Sequence, residues 1–479
     1  MKLVDKVLEF ASKYRNKVVS YSVDNQILTY GEFYHLVINQ SENLIKCGLL
    51  PGQRVLIDAD KNINFAINYL ATHLSNGIAV PINLATHKDR KERIILDCNP
   101  SFEIIGLQIN KLFEIYDSQE DTGIFPETFV LGGDLLYTTG TTGNPKGVFL
   151  NHSKILSSVI SINSYINISH EDTELIGLPM GHSFCLGRLR CILAVGGSIV
   201  FIDGYAQQQV LFEKIRNFQV TSLGLVPAAW QTIYALSKDK IGEFKHQIRF
   251  IEFGSSFLDD THKMLLTNLL PNTKICMNFG LTESPRSFFQ DFKADSNFMS
   301  SIGLPSPSMQ VSIRNEEGNA VENLGEIGEI CVKSEFLMDG YWNNLKETES
   351  AFFKDWFRTG EIGYANSNGY FFVKGRVKEI INVGGFKVAP KELEDLIIQL
   401  DGVEDVACSK VPDKITGEAV AVFIVVKNGI VISKIEIKNF LKDKIESYKL
   451  PNYIEFVSVI PRAESGKIQR QLLTLNQFN

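Results

Sequence analysis

Residues 135–150 read LLYTTGTTGNPKGVFL, a run that crowds Thr138, Thr139, Thr141 and Thr142 against Gly140, Gly143, Gly147 and Lys146. These residue types suit an anion. Glycines let the backbone approach it closely, hydroxyls donate hydrogen bonds, and the lysine supplies charge. The common phosphate loop, GxxxxGK[ST], feeds directly into a helix. Here Gly147 follows the lysine and VFL comes next, so the spacing predicts a connection between two strands. A Gly/Thr hairpin with an exposed lysine is the alternative reading of the loop by itself. Further on, acids and bases stand in other short runs: His182 in LPMGHSF, Glu283 in NFGLTES, Glu361 in FRTGEIG, Arg376 and Lys378 in KGRVKEI, and Lys467 in SGKIQR. No Ser–His or Cys–His pair stands out as a nucleophile with its base, and no His/Cys group has zinc spacing.

The elements that must hold these residues follow from periodicity. RVLID (54–58) reads as a strand, Ile63, Ile67, Leu70 and Leu74 fall on one helix face, Gly77 sits where a helix C-terminal glycine belongs, and IAVPIN is a second buried strand. Strand, helix, strand is the rhythm of a layered α/β sheet, and it resumes after the loop up to the FGSS turn at Phe253. From about Met309 the texture changes to short alternating runs with Gly-rich turns, which predicts a β-rich subdomain. PKELEDLIIQL then opens with Pro390 in the first turn of a helix that turns Leu393, Leu396, Ile397 and Leu400 to one side. A strand (419–426) and a helix (435–445) complete a small α+β domain. The fold class expected is multidomain α/β: a large N-terminal domain over 1–376 and a small, mobile C-terminal domain over 377–479.

Bulk composition narrows the classes. The chain has 479 residues, 44% hydrophobic and 22% charged, with a formal net charge of -7. That balance excludes disorder and argues against a nucleic-acid-coating surface. The longest apolar run, AVAVFIVV (419–426), is far short of the roughly 20 residues of a membrane span. Seven cysteines without a CxxC pair read as reduced thiols in a cytoplasmic protein.

The loop closely resembles the [YF]TSGTTGxPKG signature of the adenylate-forming (AMP-binding) superfamily, which includes acyl-CoA ligases, peptide-synthetase adenylation domains and luciferases. Thr139 replaces the usual serine and keeps its hydroxyl. The resemblance runs in family order from LTYGEF at Leu28 to PRAESGKIQRQLL at Pro461. It implies ATP and Mg²⁺. It places Thr138, Thr139, Gly140, Thr141, Thr142, Gly143 and Lys146 on the phosphates. Gly254, Ser255 and Ser256 fall at adenine, with Phe257 where proline is usual. Asn278, Phe279 and Gly280 follow: Phe279 stacks on the base, Thr282 reaches the α-phosphate and Glu283 holds the metal. Glu361 stands where an aspartate grips the ribose, one carbon longer, and Arg376 meets ribose or phosphate. Lys378 is the hinge, Gly384, Gly385, Phe386 and Lys387 line the thiol's path, and Lys467 is the catalytic lysine.

The reaction implied has two steps. A carboxylate attacks the α-phosphorus of ATP, giving an acyl-adenylate and pyrophosphate; a thiol then takes the acyl group and releases AMP. His182 sits where ligases place a gating ring. Ser183 stands where an aspartate would pair the ammonium of an α-amino acid, so an ordinary carboxylic acid is expected, in an apolar chamber drawing on Gly224–Trp230. Arg188, Arg190 and Arg286 read as surface ion pairs, with a second polar group on the acid as the alternative. The thiol is CoA or the phosphopantetheine of an acyl carrier protein. A stand-alone enzyme loading a carrier protein, or a nucleotide-binding protein without turnover, are the other readings.

Overall fold

The computed structural model describes residues 1–21, 27–83, 86–112, 132–139, 145–384, 386–442, 444–462 and 468–475, with the side chains of Thr139 and Lys387 outside that description. The chain divides into two compact units, residues 1–310 with 332–357, and residues 311–331 with 358–479. Compactness thus groups part of the β-rich stretch with the C-terminal fold.

The first unit is built on two sheets with parallel centres. Among the described residues, one runs Leu304–Pro305, Phe288–Asp291, Lys274–Phe279, Phe250–Phe253, Ser222–Leu225, Thr173–Ile176, Ser198–Phe201, Val18–Tyr21 and Ile27–Thr29. The other centres on Gly133–Thr139, Ile78–Ile82, Arg54–Asp58 and Phe102–Ile105, with antiparallel strands at its edges. Central strands such as IAVPI are buried along their whole length, as parallel strands covered on both faces must be. The apolar periodicity of 63–74 becomes the helix Ile63–Leu74, opened by Asn62, whose side chain accepts from the N–H of Asn64 at 2.9 Å. Its end differs from expectation. Asn76, at φ +59°, takes the left-handed position, and Gly77 instead donates its N–H to Thr72 O at 2.9 Å. Gly77 is needed for room: a Cβ there would lie 3.0 Å from Thr72 Cγ2.

The helix Ser183–Ala194 positions much of the site. From Cys185 to Ala194 every residue is buried. A helix covered all round has no solvated side on which to place a charge, yet it holds Arg188 and Arg190. Two residues apart is about 200° of rotation, so these side chains leave opposite faces. Arg188 reaches Glu174 and Glu252 in the first sheet, and Arg190 reaches Asp134 in the second. One helix is therefore pinned to both sheets by ion pairs.

In the second unit, residues 361–365 and 371–376 pair antiparallel. A further sheet runs Phe386–Val388, Ile381–Val383, Gly417–Val426, Val403–Asp413, with Tyr453–Phe456 beside Gly417–Val426. The helix Pro390–Ile397 lays Leu393 and Ile397 into its core, with Leu396 and Leu400 at the margin. This is the α+β composition that the sequence predicts. No described helix is long and apolar enough to cross a membrane. All seven cysteines are free thiols; Cys47 alone among them is exposed.

Candidate functional site

The Thr/Gly run is a strand-to-strand connection. Gly133–Thr139 and Pro145–Asn151 pair antiparallel out to Thr139 opposite Pro145, and the next helix starts only at His152. Gly140, Thr141, Thr142 and Gly143, with the side chain of Thr139, lie outside the described residues. Thr138 sits opposite Lys146, and its hydroxyl donates to Lys146 O at 3.5 Å. Gly147 has a different task from the one its place in the motif suggests. A Cβ there would meet Leu135 at 2.9 Å and Trp342 and Tyr137 at 3.1 Å, so packing demands this glycine.

Lys146 and Glu283 belong to one cluster. Lys146 Nζ lies 2.7 Å from Glu347 Oε1 and 5.3 Å from the ring centre of Tyr341. The Tyr341 hydroxyl donates to Glu283 Oε1 at 2.8 Å. Burial, reinforced by the Glu283 charge, raises the Tyr341 pKa, which keeps that proton in place. The backbone also ties the cluster: Met338 N–H donates to Glu283 O at 2.9 Å. Cation and carboxylate are thus held on either side of one phenol.

Next to it, Thr282 donates to Ser183 Oγ at 3.2 Å. This joins the loop after Lys274–Phe279 to the start of the helix Ser183–Ala194, where His182 is the exposed N-cap residue. Gly254 is forced by its neighbours, since a Cβ would lie 2.7 Å from the Phe184 ring. Ser255 follows at φ +77°, and Ser256 N–H returns to Gly254 O at 3.0 Å, which makes the turn. Phe257 is exposed. The Asn278 amide is spent on this scaffold, donating to Glu252 Oε1 at 2.7 Å and Phe253 O at 2.9 Å. Phe279 is half-buried and edge-on to Phe288, and Gly280 is exposed beside it.

The arginines are not on the surface. Arg188, Arg190 and Arg286 are 1%, 4% and 3% exposed, because a helix packed on every side and a sheet end leave them no route to water. Arg188 Nε meets Glu174 at 2.9 Å, its Nη1 meets Glu252 at 3.0 Å, and it also bonds Ser222. Arg286 Nε meets Glu252 at 3.0 Å and its Nη2 donates to Phe184 O at 2.8 Å. A cluster of buried charges therefore lies against Gly224, where the sequence predicts an apolar chamber. Tyr341, Glu347, Glu174 and Glu252 escaped the sequence reading. The available signal was a single glutamate inside each of two apolar strands, TELI and FIEF.

In the second unit Glu361 stands directly opposite Arg376, and the two pair at 2.8 Å. Glu361 is 5% exposed. Its extra carbon thus reaches the guanidinium across the strand pair. Lys378 is exposed within the single turn Val377–Glu379. Gly384 takes φ +59° at a strand turn, and exposed Phe386 stacks on Tyr448 at 4.7 Å. Gly385, the side chain of Lys387 and all of Lys467 lie outside the described residues. On either side of the stretch 463–467, Arg462 and Ile468 form an antiparallel bridge. Arg470 donates to Glu379 at 3.0 Å and to Cys408 O at 2.7 Å, and it pairs with Glu394.

Comparison with known proteins follows this geometry. Residues 7–126 and 134–342 match the AMP-binding enzyme family, and residues 392–467 match its C-terminal domain. The chain is 28% identical over 474 residues to the long-chain-fatty-acid–CoA ligase FadD13 of Mycobacterium tuberculosis, covering 93% of this chain and 92% of that protein. It is 28% identical over 491 residues to 4-coumarate-CoA ligase 1 of Narcissus pseudonarcissus, covering 94% and 88%. Its fold is similar to that of ATP-bound MatB from Rhodopseudomonas palustris, with a TM-score of 0.84, 23% identity and 98% of each chain covered. By motif order, by fold and by the match of both its parts, the chain belongs to the AMP-binding enzyme family.

Proposed function

We propose that the protein is an AMP-forming ligase that activates a carboxylic acid with ATP, releases pyrophosphate, and passes the acyl group to a thiol. The observation that best supports this is the convergence of Lys146, Tyr341, Glu283 and Thr282 beside the Thr/Gly hairpin. The carboxylate is its own nucleophile, so the protein has to supply positioning and charge along an in-line displacement. Lys146 and the hydroxyls of 138–142 neutralise the departing pyrophosphate. Thr282, fixed to Ser183, presents its oxygen at the α-phosphate. His182 stands over the acid's carboxyl. Glu361 takes the ribose hydroxyls and Arg376 the neighbouring oxygens. The Glu283 carboxylate is a hard oxygen donor suited to Mg²⁺, which when bound offsets phosphate charge.

Ser183 is uncharged and already accepts from Thr282, so an α-amino acid would leave its ammonium unpaired there. The acceptor we propose is CoA, as in the names of the relatives, with a carrier-protein arm as the second reading. Cytoplasmic residence suits the seven free thiols. We further place a hinge at Lys378 between a large domain (1–376) and a small one (377–479), so that Lys467 serves the first step and Gly384–Lys387 the second.

The test is pyrophosphate release with a panel of acids, followed by thioester detection with CoA and with a phosphopantetheinylated carrier. Lys467→Ala should lose roughly 100-fold in adenylate formation, the effect of removing one charge-assisted contact worth about 3 kcal/mol. It should still convert a supplied acyl-adenylate to thioester. Equal loss of both half-reactions would remove Lys467 from the first step.

A further inference from the structure

On the ligase reading, the acid's carboxyl is assigned to Thr282 and His182, at the start of the helix Ser183–Ala194. The rest of the acid is then assigned to the space beside the first turn of that helix, at the ends of Ser222–Leu225, Phe250–Phe253 and Lys274–Phe279. A glycine stands at each of those ends: Gly224, Gly254 and Gly280. Three glycines in a row could leave a channel for a long tail. Here the protein's own atoms occupy the Cβ side of all three glycines. A Cβ on Gly224 would lie 3.0 Å from Arg188 Cγ, one on Gly254 2.7 Å from the Phe184 ring, and one on Gly280 2.4 Å from Arg286 N.

What lies beneath is equally closed. Arg188 and Arg286 face Glu174 and Glu252, two cations against two anions, all buried. A hydrocarbon tail pushed deeper would have to part desolvated ion pairs, and an uncompensated buried charge is costly. The balance of charge also matters. Each arginine already faces a carboxylate, so the floor has no surplus cation for a second carboxylate on the substrate. Phe184 is the half-buried member of this wall. Its ring lies 4.8 Å from the Arg286 guanidinium, and its carbonyl accepts from the same group.

We infer that the acid taken by this enzyme is short or compact and carries no second charged group, and that Phe184 is the residue that limits its length. The inference rests on the ligase reading above. The experiment is kcat/KM for pyrophosphate release with straight-chain acids from acetate to palmitate, together with succinate. Octanoate is expected to fall at least about tenfold below butyrate, a step of the size that a wall in a hydrophobic pocket gives. Phe184→Ala should raise the octanoate-to-butyrate ratio about tenfold, and because this is a ratio within one preparation, a general loss of folded enzyme leaves it unmoved. Octanoate or palmitate used as well as butyrate by the unmodified enzyme, or succinate preferred over butyrate, overturns the inference while leaving the ligase reading intact. An unchanged ratio in Phe184→Ala overturns the role given to that ring. Absence of pyrophosphate release with every acid sinks the ligase reading itself and this inference with it.

Discussion

Lys146 is engaged by the protein's own groups. Its ammonium sits 2.7 Å from Glu347, in a pair that is 20% and 39% exposed at its two side chains. Glu347 occupies the position of a surrogate anion. In the role proposed for it at the phosphates, Lys146 has to exchange one negative partner for another, and Glu347 then faces the incoming charge. A partly exposed pair of this kind is worth at most about 1 kcal/mol, so the competition is mild but readable. Glu347→Gln is expected to lower the KM for ATP by up to about fivefold, the factor that corresponds to 1 kcal/mol. Steady-state kinetics at saturating acid measure this; a raised KM would mean that Glu347 helps to aim Lys146. The same logic separates Glu361 from Lys146. Glu361 meets a cation, Arg376, and that pair keeps a carboxylate in a nearly closed position where it would otherwise be expensive.

At the scale of elements, local signals were legible and long-range ones were not. Strand 54–58, the helix Ile63–Leu74, the proline-led helix at 390 and the strand-to-strand form of the Thr/Gly hairpin all follow from periodicity and turn chemistry within a few residues. Gly77 was read by the same rules and misplaced by one position, because asparagine also tolerates the left-handed turn and Asn76 took it. The arginines were misread for a deeper reason. Arg188 and Arg190 find Glu252 and Asp134, 64 and 56 residues away, and no spacing rule within a helix reports such partners. Arg470 repeats the lesson in the second unit. Three residues after Lys467, it is bonded to Glu379, Glu394 and Cys408 O, tying the end of the SGKIQR run to the Val377–Glu379 turn and to the helix Pro390–Ile397. Arg470→Ala takes the cation away from Glu394, which is 6% exposed and keeps the N–H of Cys408 at 2.7 Å. Losing one partner of a buried pair costs about 3–5 kcal/mol. A urea titration followed by proteolysis should show that loss in the 358–479 region; an unshifted midpoint would mean that the Arg470 contacts are not stabilising.

The whole molecule brings its Thr/Gly hairpin and its stability together at one buried histidine. His73 is fully buried and donates from Nε2 to Gly133 O and to Asp134, at the first residues of the hairpin strand. Arg190 pairs with the same aspartate, Tyr69 bonds it at 3.0 Å, and the His152 ring packs edge-on at 4.7 Å. Burial above all, then the Arg190 charge, pushes the His73 pKa from 6.5 down to about 3. The sign follows from which state binds the proton. Below about pH 6.5 the unfolded chain protonates this ring, whereas the folded chain does not until about pH 3. Stability is therefore complete above that window and declines as pH falls through it, with a slope approaching about 1.4 kcal/mol per pH unit. His73→Gln keeps an N–H donor at the end of the side chain and removes the titration. Urea unfolding from pH 7.5 to pH 5 should give a shallower decline for His73→Gln than for the parent, by about that slope at the acid end. Parallel curves would mean that the ring is protonated in the folded state, and the Asp134–Arg190 pair that anchors the hairpin would then be carrying an extra positive charge without cost.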